Sequence, residues 1–119
     1  MEYINLNVWS KNRELCNSIY RITRNYPKYE IYGLVIQMRR AAVSVLSNIA
    51  EGCGRNTKKD SIQFFHIARG SLYELETQCY ISSDQQYIDF NDMPRLLDHI
   101  AECKKLLNGF INYFENSKN

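Results

Sequence analysis

Four stretches of this sequence repeat apolar residues every three or four positions, a spacing that puts them on one side of a helix and leaves a strand little to bury. In the first, from about residue 7 to 25, Val8, Leu15, Ile19, Ile22 and Tyr26 share a face. The second, 31–53, carries Leu34, Met38, Ala41, Ala42, Val45, Leu46, Ile49 and Cys53 in register. Phe65, Ala68, Leu72, Leu75 and Cys79 mark the third, which runs to about residue 83, and Leu96, Ile100, Cys103, Leu107, Ile111 and Phe114 mark the fourth. No β-branched residues alternate with polar ones over a strand's length.

The punctuation agrees with the periodicity. Only two prolines occur, Pro27 and Pro94, both outside helix interiors. Gly52 and Gly54 should stop the second helix through a left-handed cap. Thr57, with Asp60 three residues later, should open the third. Residues 85–91 form a loop, after which Asn91 or Asp92 caps the fourth helix. Helices of roughly 20 residues are about 30 Å long, and short loops pack four of them best side by side. The expectation is an all-α protein, an antiparallel up-down four-helix bundle, with 1–119 as a single domain.

No apolar run approaches the roughly 20 residues of a membrane span, so no membrane partner is expected. The opening Met1-Glu2-Tyr3-Ile4-Asn5 has no basic region followed by an apolar stretch, which points to a cytoplasmic protein. The four cysteines, Cys16, Cys53, Cys79 and Cys103, form no Cys-x-x-Cys pair and read as free thiols packed as small apolar groups. The net charge of +2 is uneven: residues 1–60 carry ten Lys/Arg against five Asp/Glu, and residues 61–119 five against eight. Such asymmetry suits complementary packing between copies or a modest basic face.

The second helix has more apolar surface than one neighbour can cover. Ile36, Val43 and Ala50 widen its core stripe to roughly 220°, about twice the stripe of a surface helix, and Arg39 falls inside that arc. Trp9, Cys16 and Tyr20 flank the stripe of the first helix, and Ile62, Tyr73 and Tyr80 that of the third. Apolar surface rich in aromatics and arginine is typical of protein interfaces. The expected interface between copies therefore comprises Ile36, Arg39, Val43, Ala50, Trp9, Tyr20, Tyr73 and Tyr80.

Tests for chemistry find none. A di-metal carboxylate bundle needs Glu-x-x-His pairs, but Gln63 precedes His66 and Leu96 precedes His99. His99 and Cys103 share a face yet lack a second ligand pair, so they read as packing. Glu74 and Glu76, two apart, point in different directions. Gly52-x-Gly54 lacks the rest of a dinucleotide loop. No catalytic residue, metal site, cofactor or small-molecule substrate is expected. Gly70 costs about 1 kcal/mol relative to alanine in mid-helix, and close approach of another helix is the expected reason. Ser44, Ser47 and Asn48 should make polar contacts with neighbouring helices. The basic residues Arg39, Arg40, Arg55, Lys58, Lys59 and Arg69 gather around the second helix and its junction with the third, near Tyr73 and Tyr80. Cations beside aromatic rings suit RNA or single strands; a solvated helix end with interface arginines is the plainer reading.

The run Gln37-Met38-Arg39-Arg40-Ala41-Ala42-Val43-Ser44-Val45-Leu46-Ser47-Asn48-Ile49-Ala50-Glu51-Gly52 resembles the signature of the four-helix-bundle family encoded in 23S rRNA intervening sequences. Val8-Trp9 is similar to that family's opening motif, and Gly70-Ser71-Leu72-Tyr73-Glu74-Leu75-Glu76-Thr77-Gln78 to its third-helix motif. The resemblance implies a bundle assembled as a homopentamer and kinship with the accessory variability protein of diversity-generating retroelements. It thereby implies RNA or a ribonucleoprotein among the partners. Two functions remain open: an oligomeric adaptor without catalytic activity, and a nucleic-acid-binding accessory protein.

Overall fold

Each apolar stripe becomes a helix. In the computed structural model, which describes residues 2–117, α1 spans Asn7–Thr23, α2 Ile36–Cys53, α3 Lys58–Asp84 and α4 Met93–Glu115. No strand occurs among the described residues, and the fold is an all-α four-helix bundle. Trp9 near the start of α1 reaches Leu46 late in α2, whereas Arg39 early in α2 reaches Thr23 at the end of α1. Ser82 at the end of α3 likewise meets Met38, and Gly52 meets Phe65. Phe65 packs on Phe110 and Phe114, while Cys103 of α4 faces the Lys11 carbonyl of α1. Neighbouring helices therefore run antiparallel, and α4 closes back on α1.

The core is the one the periodicity marks. Leu15, Ile19, Met38, Ile49, Phe65, Leu72, Leu75, Ile100 and Leu107 are all but sealed from solvent, each such side chain stabilising the fold by about 1.5–3 kcal/mol. Most polar groups inside find a partner, while Asn12 Oδ1 and Gln78 Oε1 are buried without one among the described residues. Asn12 Nδ2 donates to the Val8 carbonyl at 2.8 Å and Thr23 Oγ1 to that of Ile19 at 2.7 Å. The Met38 sulfur accepts from Tyr26 at 3.5 Å and from Ser82 at 3.4 Å. Ser44 meets Ser71 across the α2–α3 seam at 2.9 Å, as expected of a polar seam contact. Asn48 instead bonds within its own helix and Ser47 is exposed.

Four expectations need correction. The second helix does not begin at Ile31: Ile31–Val35 is a π turn, broken at Gly33 (φ −108°, ψ −114°). Glu30 Oε1 accepts the Leu34 N–H at 3.2 Å there, and a side chain on Gly33 would collide with that carboxylate. Second, no glycine takes a left-handed conformation; Gly54 sits at φ −89° and ends α2 with its N–H on Ala50 and Glu51. The left-handed residue is Gln86, at φ 65°, where the Gln86 N–H reaches Ser83 O and the Tyr87 N–H reaches Ser82 O. This is the hydrogen-bond pattern of a Schellman cap without its usual glycine. Third, neither Asn91 nor Asp92 caps α4 with its side chain; Asp89 Oδ1 accepts the Asn91 N–H instead, and Pro94 occupies the first turn. Thr57, by contrast, caps α3 by accepting the Asp60 N–H at 3.2 Å.

The fourth correction exchanges two glycines. A β-carbon at Gly70 would meet nothing, so close helix approach does not explain it. Gly52 is where α2 and α3 come together. A methyl there would lie 2.8 Å from Phe65 Cδ1, nearer still to Cε1, and 2.9 Å from the Ser61 carbonyl.

Candidate functional site

Burying one flank of α2 against α1 and the other against α3 leaves Ile36, Val43 and Ala50 facing outward, seven residues apart. Val43 is 39% exposed, Ile36 and Ala50 half-buried, and Arg40 and Ser47 stand beside them in solvent. Tyr20, Ile31, Tyr32 and Val35 extend this face into a groove of about 490 Å³, with Arg39 and Arg40 on its walls. Arg39 is held by its own chain. Its Nε donates to Thr23 Oγ1 at 2.9 Å, its Nη2 to the Tyr20 carbonyl at 3.3 Å, and its guanidinium lies 4.6 Å from the Tyr20 ring centre. Trp9 also ties α1 to α2, donating from Nε1 to the Leu46 carbonyl at 3.3 Å.

The aromatic residues expected at one interface fall on two sides of the bundle. Trp9 and Tyr20 lie with the outward α2 residues. Tyr73 and Tyr80, both about half exposed, lie on α3, and Tyr73 carries Lys104 of α4 4.3 Å from its ring centre. Lys104 is in turn paired with Glu76 at 2.7 Å.

The six basic candidates also separate. Arg55, Lys58 and Lys59 meet at the α2–α3 junction. Arg39 and Arg40 lie some 22 Å away along α2, and Arg69 about 15 Å along α3. Arg55 is paired with Glu51 at 3.1 Å and lies 4.5 Å from the Phe64 ring centre. Lys58 Nζ donates to the carbonyls of Ser117 at 2.6 Å and Glu115 at 3.4 Å, placing a cation at the negative end of α4. Arg69 donates to Asn108 at 3.1 Å. Lys59 and Arg40 are exposed and form no ion pair among the described residues.

His99 and Cys103 do share a face, and both turn to the Lys11 carbonyl, Nε2 at 3.3 Å and Sγ at 3.6 Å. Burial pushes the thiols of Cys79 and Cys103 up to about 12, and raises those of Cys16 and Cys53. The reactive thiolate is correspondingly disfavoured. Two features escaped the sequence. Glu30, besides closing its π turn, accepts from Tyr87 at 3.0 Å and so ties the 85–91 loop to the start of α2. A second apolar groove, of about 770 Å³, lies between the start of α1 and α4, with Leu6, Val8, Leu106 and Phe110 in it and Gly109 and Ala101 on its edge. The two small residues eight apart on α4 were its only mark in the sequence.

The family model of the 23S rRNA-intervening sequence protein matches residues 4–109 of this chain. No curated protein matches. A solved structure from Bacteroides thetaiotaomicron, a protein of unknown function from the S23 ribosomal protein family, superposes with a TM-score of 0.81. The two are 22% identical over 88% of this chain and 95% of that one, a likeness that establishes the shared fold.

Proposed function

Because the chain belongs to the 23S rRNA-intervening sequence protein family, we propose that it works without catalysis, as an oligomeric adaptor or accessory protein that presents its outer face to a protein or ribonucleoprotein partner in the cytoplasm. The observation that carries this reading is the outward stripe Ile36–Val43–Ala50, apolar surface on a central helix that the monomer leaves uncovered. The number of copies, five, comes from the family resemblance. Cys16, Cys79 and Cys103 are buried and Cys53 is half-buried, and burial raises the pKa of all four thiols, which is in keeping with packing groups of an adaptor. Light scattering on the eluting protein tests assembly directly. The parent should run as an oligomer, and Val43→Glu should weaken it because a charge would be buried unpaired. Gln63→Glu, exposed on α3 and outside this stripe, is the control. A monomeric parent at micromolar concentration refutes the reading.

The second reading is a nucleic-acid-binding accessory protein, favoured by the gathering of Arg55, Lys58 and Lys59 at one end, with the Arg55 guanidinium over the Phe64 ring. Several copies of such an end would hold a phosphate backbone that one could not. Lys58 secures α4, so the clean variant is Arg55→Ala with Lys59→Ala. Single-stranded RNA should bind the parent at about 50 mM salt and release steeply as salt rises, through counterion release. The double variant should bind more weakly with its helicity intact. Equal binding by parent and variant, or none by the parent, leaves the adaptor reading alone.

A further inference from the structure

Phe90 is 86% exposed, although the loop that carries it is anchored on both sides. Ile88 before it and Met93 after it are buried. The Tyr87 hydroxyl lies 3.0 Å from Glu30 Oε2 and 3.2 Å from the Tyr29 hydroxyl, and its ring centre is 5.1 Å from that of Tyr26. Asp89 Oδ1 fixes the next turn by accepting the Asn91 N–H at 2.9 Å. Nothing in turn chemistry calls for an aromatic residue at this point. A large ring held out in water on an anchored loop is contact area prepared for a partner.

The surroundings of the ring select that partner's chemistry. Phe90 walls a hollow of about 440 Å³ together with Ser83, Asp84, Gln86, Ile88 and Asp89. Asp84 ends α3, where the helix is electronegative and a carboxylate is disfavoured, and no basic residue in that last turn offsets it. Asp92 follows nearby, and residues 84–92 contain no Lys or Arg. None of the three carboxylates forms an ion pair among the described residues. A ring face beside unpaired carboxylates suits a guanidinium, which stacks on the one and donates to the others. The same charges repel the phosphates of RNA and of anionic lipids.

We infer that the turn between α3 and α4 is the docking point for a basic segment of a protein partner, which lays an arginine on the Phe90 ring with its guanidinium facing Asp84 and Asp89. Complementary charge gives this contact its specificity. The inference rests on the partner-presenting half of the adaptor reading and names the surface and the partner's chemistry.

The test is fluorescence anisotropy on the full chain, with a labelled peptide of alternating arginine and serine as probe at low salt. The parent should bind it and should ignore the same peptide with glutamate in place of arginine. Phe90→Ala should weaken binding about two- to fivefold, the worth of an exposed cation–π contact. Asp84→Asn with Asp89→Asn should weaken it about tenfold, and asparagine keeps an acceptor for the Asn91 N–H. Glu74→Gln with Asp98→Asn removes two exposed carboxylates elsewhere and should leave binding unchanged. Equal binding by parent and turn variants, an equal loss in the Glu74 and Asp98 control, or no binding by the parent overturns the inference. So does a Phe90→Ala protein that runs smaller in light scattering, which makes the turn a contact between copies, or one that binds single-stranded RNA more weakly. A monomeric parent refutes the oligomer alone, because the turn belongs to one chain.

Discussion

Replacing Gly52 with alanine sets two effects of known sign against each other. Alanine favours the helix by about 1 kcal/mol over glycine. The added methyl, however, would press within 3 Å of the Phe65 ring and the Ser61 carbonyl. Neither can give way cheaply. Phe65 is fully buried, with Phe110 and Phe114 each 4.9 Å from its ring centre, and the Ser61 carbonyl is α3 backbone. Overpacking of this kind costs about 1–3 kcal/mol, and contact on two sides places Gly52 at the upper end. The net expectation is a loss of about 2 kcal/mol for Gly52→Ala. Gly70→Ala, with the same helix benefit and open space around it, should gain about 0.5–1 kcal/mol. Urea unfolding of both variants and the parent, at one protein concentration because assembly contributes to stability, measures the difference. A Gly52→Ala protein as stable as Gly70→Ala would refute close packing of α2 on α3 at this point.

Gln86→Gly should stabilise by about 1 kcal/mol, since glycine accepts the left-handed conformation that a side chain opposes; an unchanged urea midpoint would contradict the Schellman geometry. Thr57→Ala should cost about 1 kcal/mol through loss of the α3 cap, read in the same titration. Alkaline pH should destabilise the protein. The buried thiols of Cys79 and Cys103 keep their protons up to about 12, while the unfolded chain releases its own near the ordinary value of 9.0. The unfolded state thus binds fewer protons across that window, and stability falls as pH rises from about 9 toward 12; urea midpoints that stay level from pH 8 to 11 would count against it. Glu30→Ala should speed amide exchange at Leu34 and loosen the 85–91 loop, because one carboxylate serves both.

How much of this was legible follows from the range of each interaction. The helix spans and core faces depend on neighbours three and four residues away, and Val8, Ile19, Leu72, Ile100 and Leu107 read correctly from spacing alone. The Thr57 cap is equally local. The start of α2 was misread because the π turn depends on Glu30, whose carboxylate is also held by Tyr87 from the far side of the chain. The glycines were misjudged for the same reason: what stands opposite Gly52 is Phe65, and no spacing rule shows that pairing. Candidate interface residues were chosen by helical register and type, and the basic residues by type and proximity in sequence. Their partners, Thr23 for Arg39 and the end of α4 for Lys58, lie 16 and 59 residues away. The unusual width of the α2 apolar arc was visible; the groove formed by α1 and α4 together was not.

The bond from Trp9 to the Leu46 carbonyl also makes the molecule its own reporter. Trp9 is the chain's single tryptophan, and it sits at the α1–α2 seam against Tyr3, so intrinsic fluorescence excited selectively at the indole, read at one protein concentration, follows this end of the seam. Far-ultraviolet dichroism, in contrast, averages over all four helices and is weighted toward the long α3. If α1 peels away before the remainder melts, emission will change at a lower denaturant concentration than ellipticity does. Superimposed curves would instead mark the four helices as one cooperative unit.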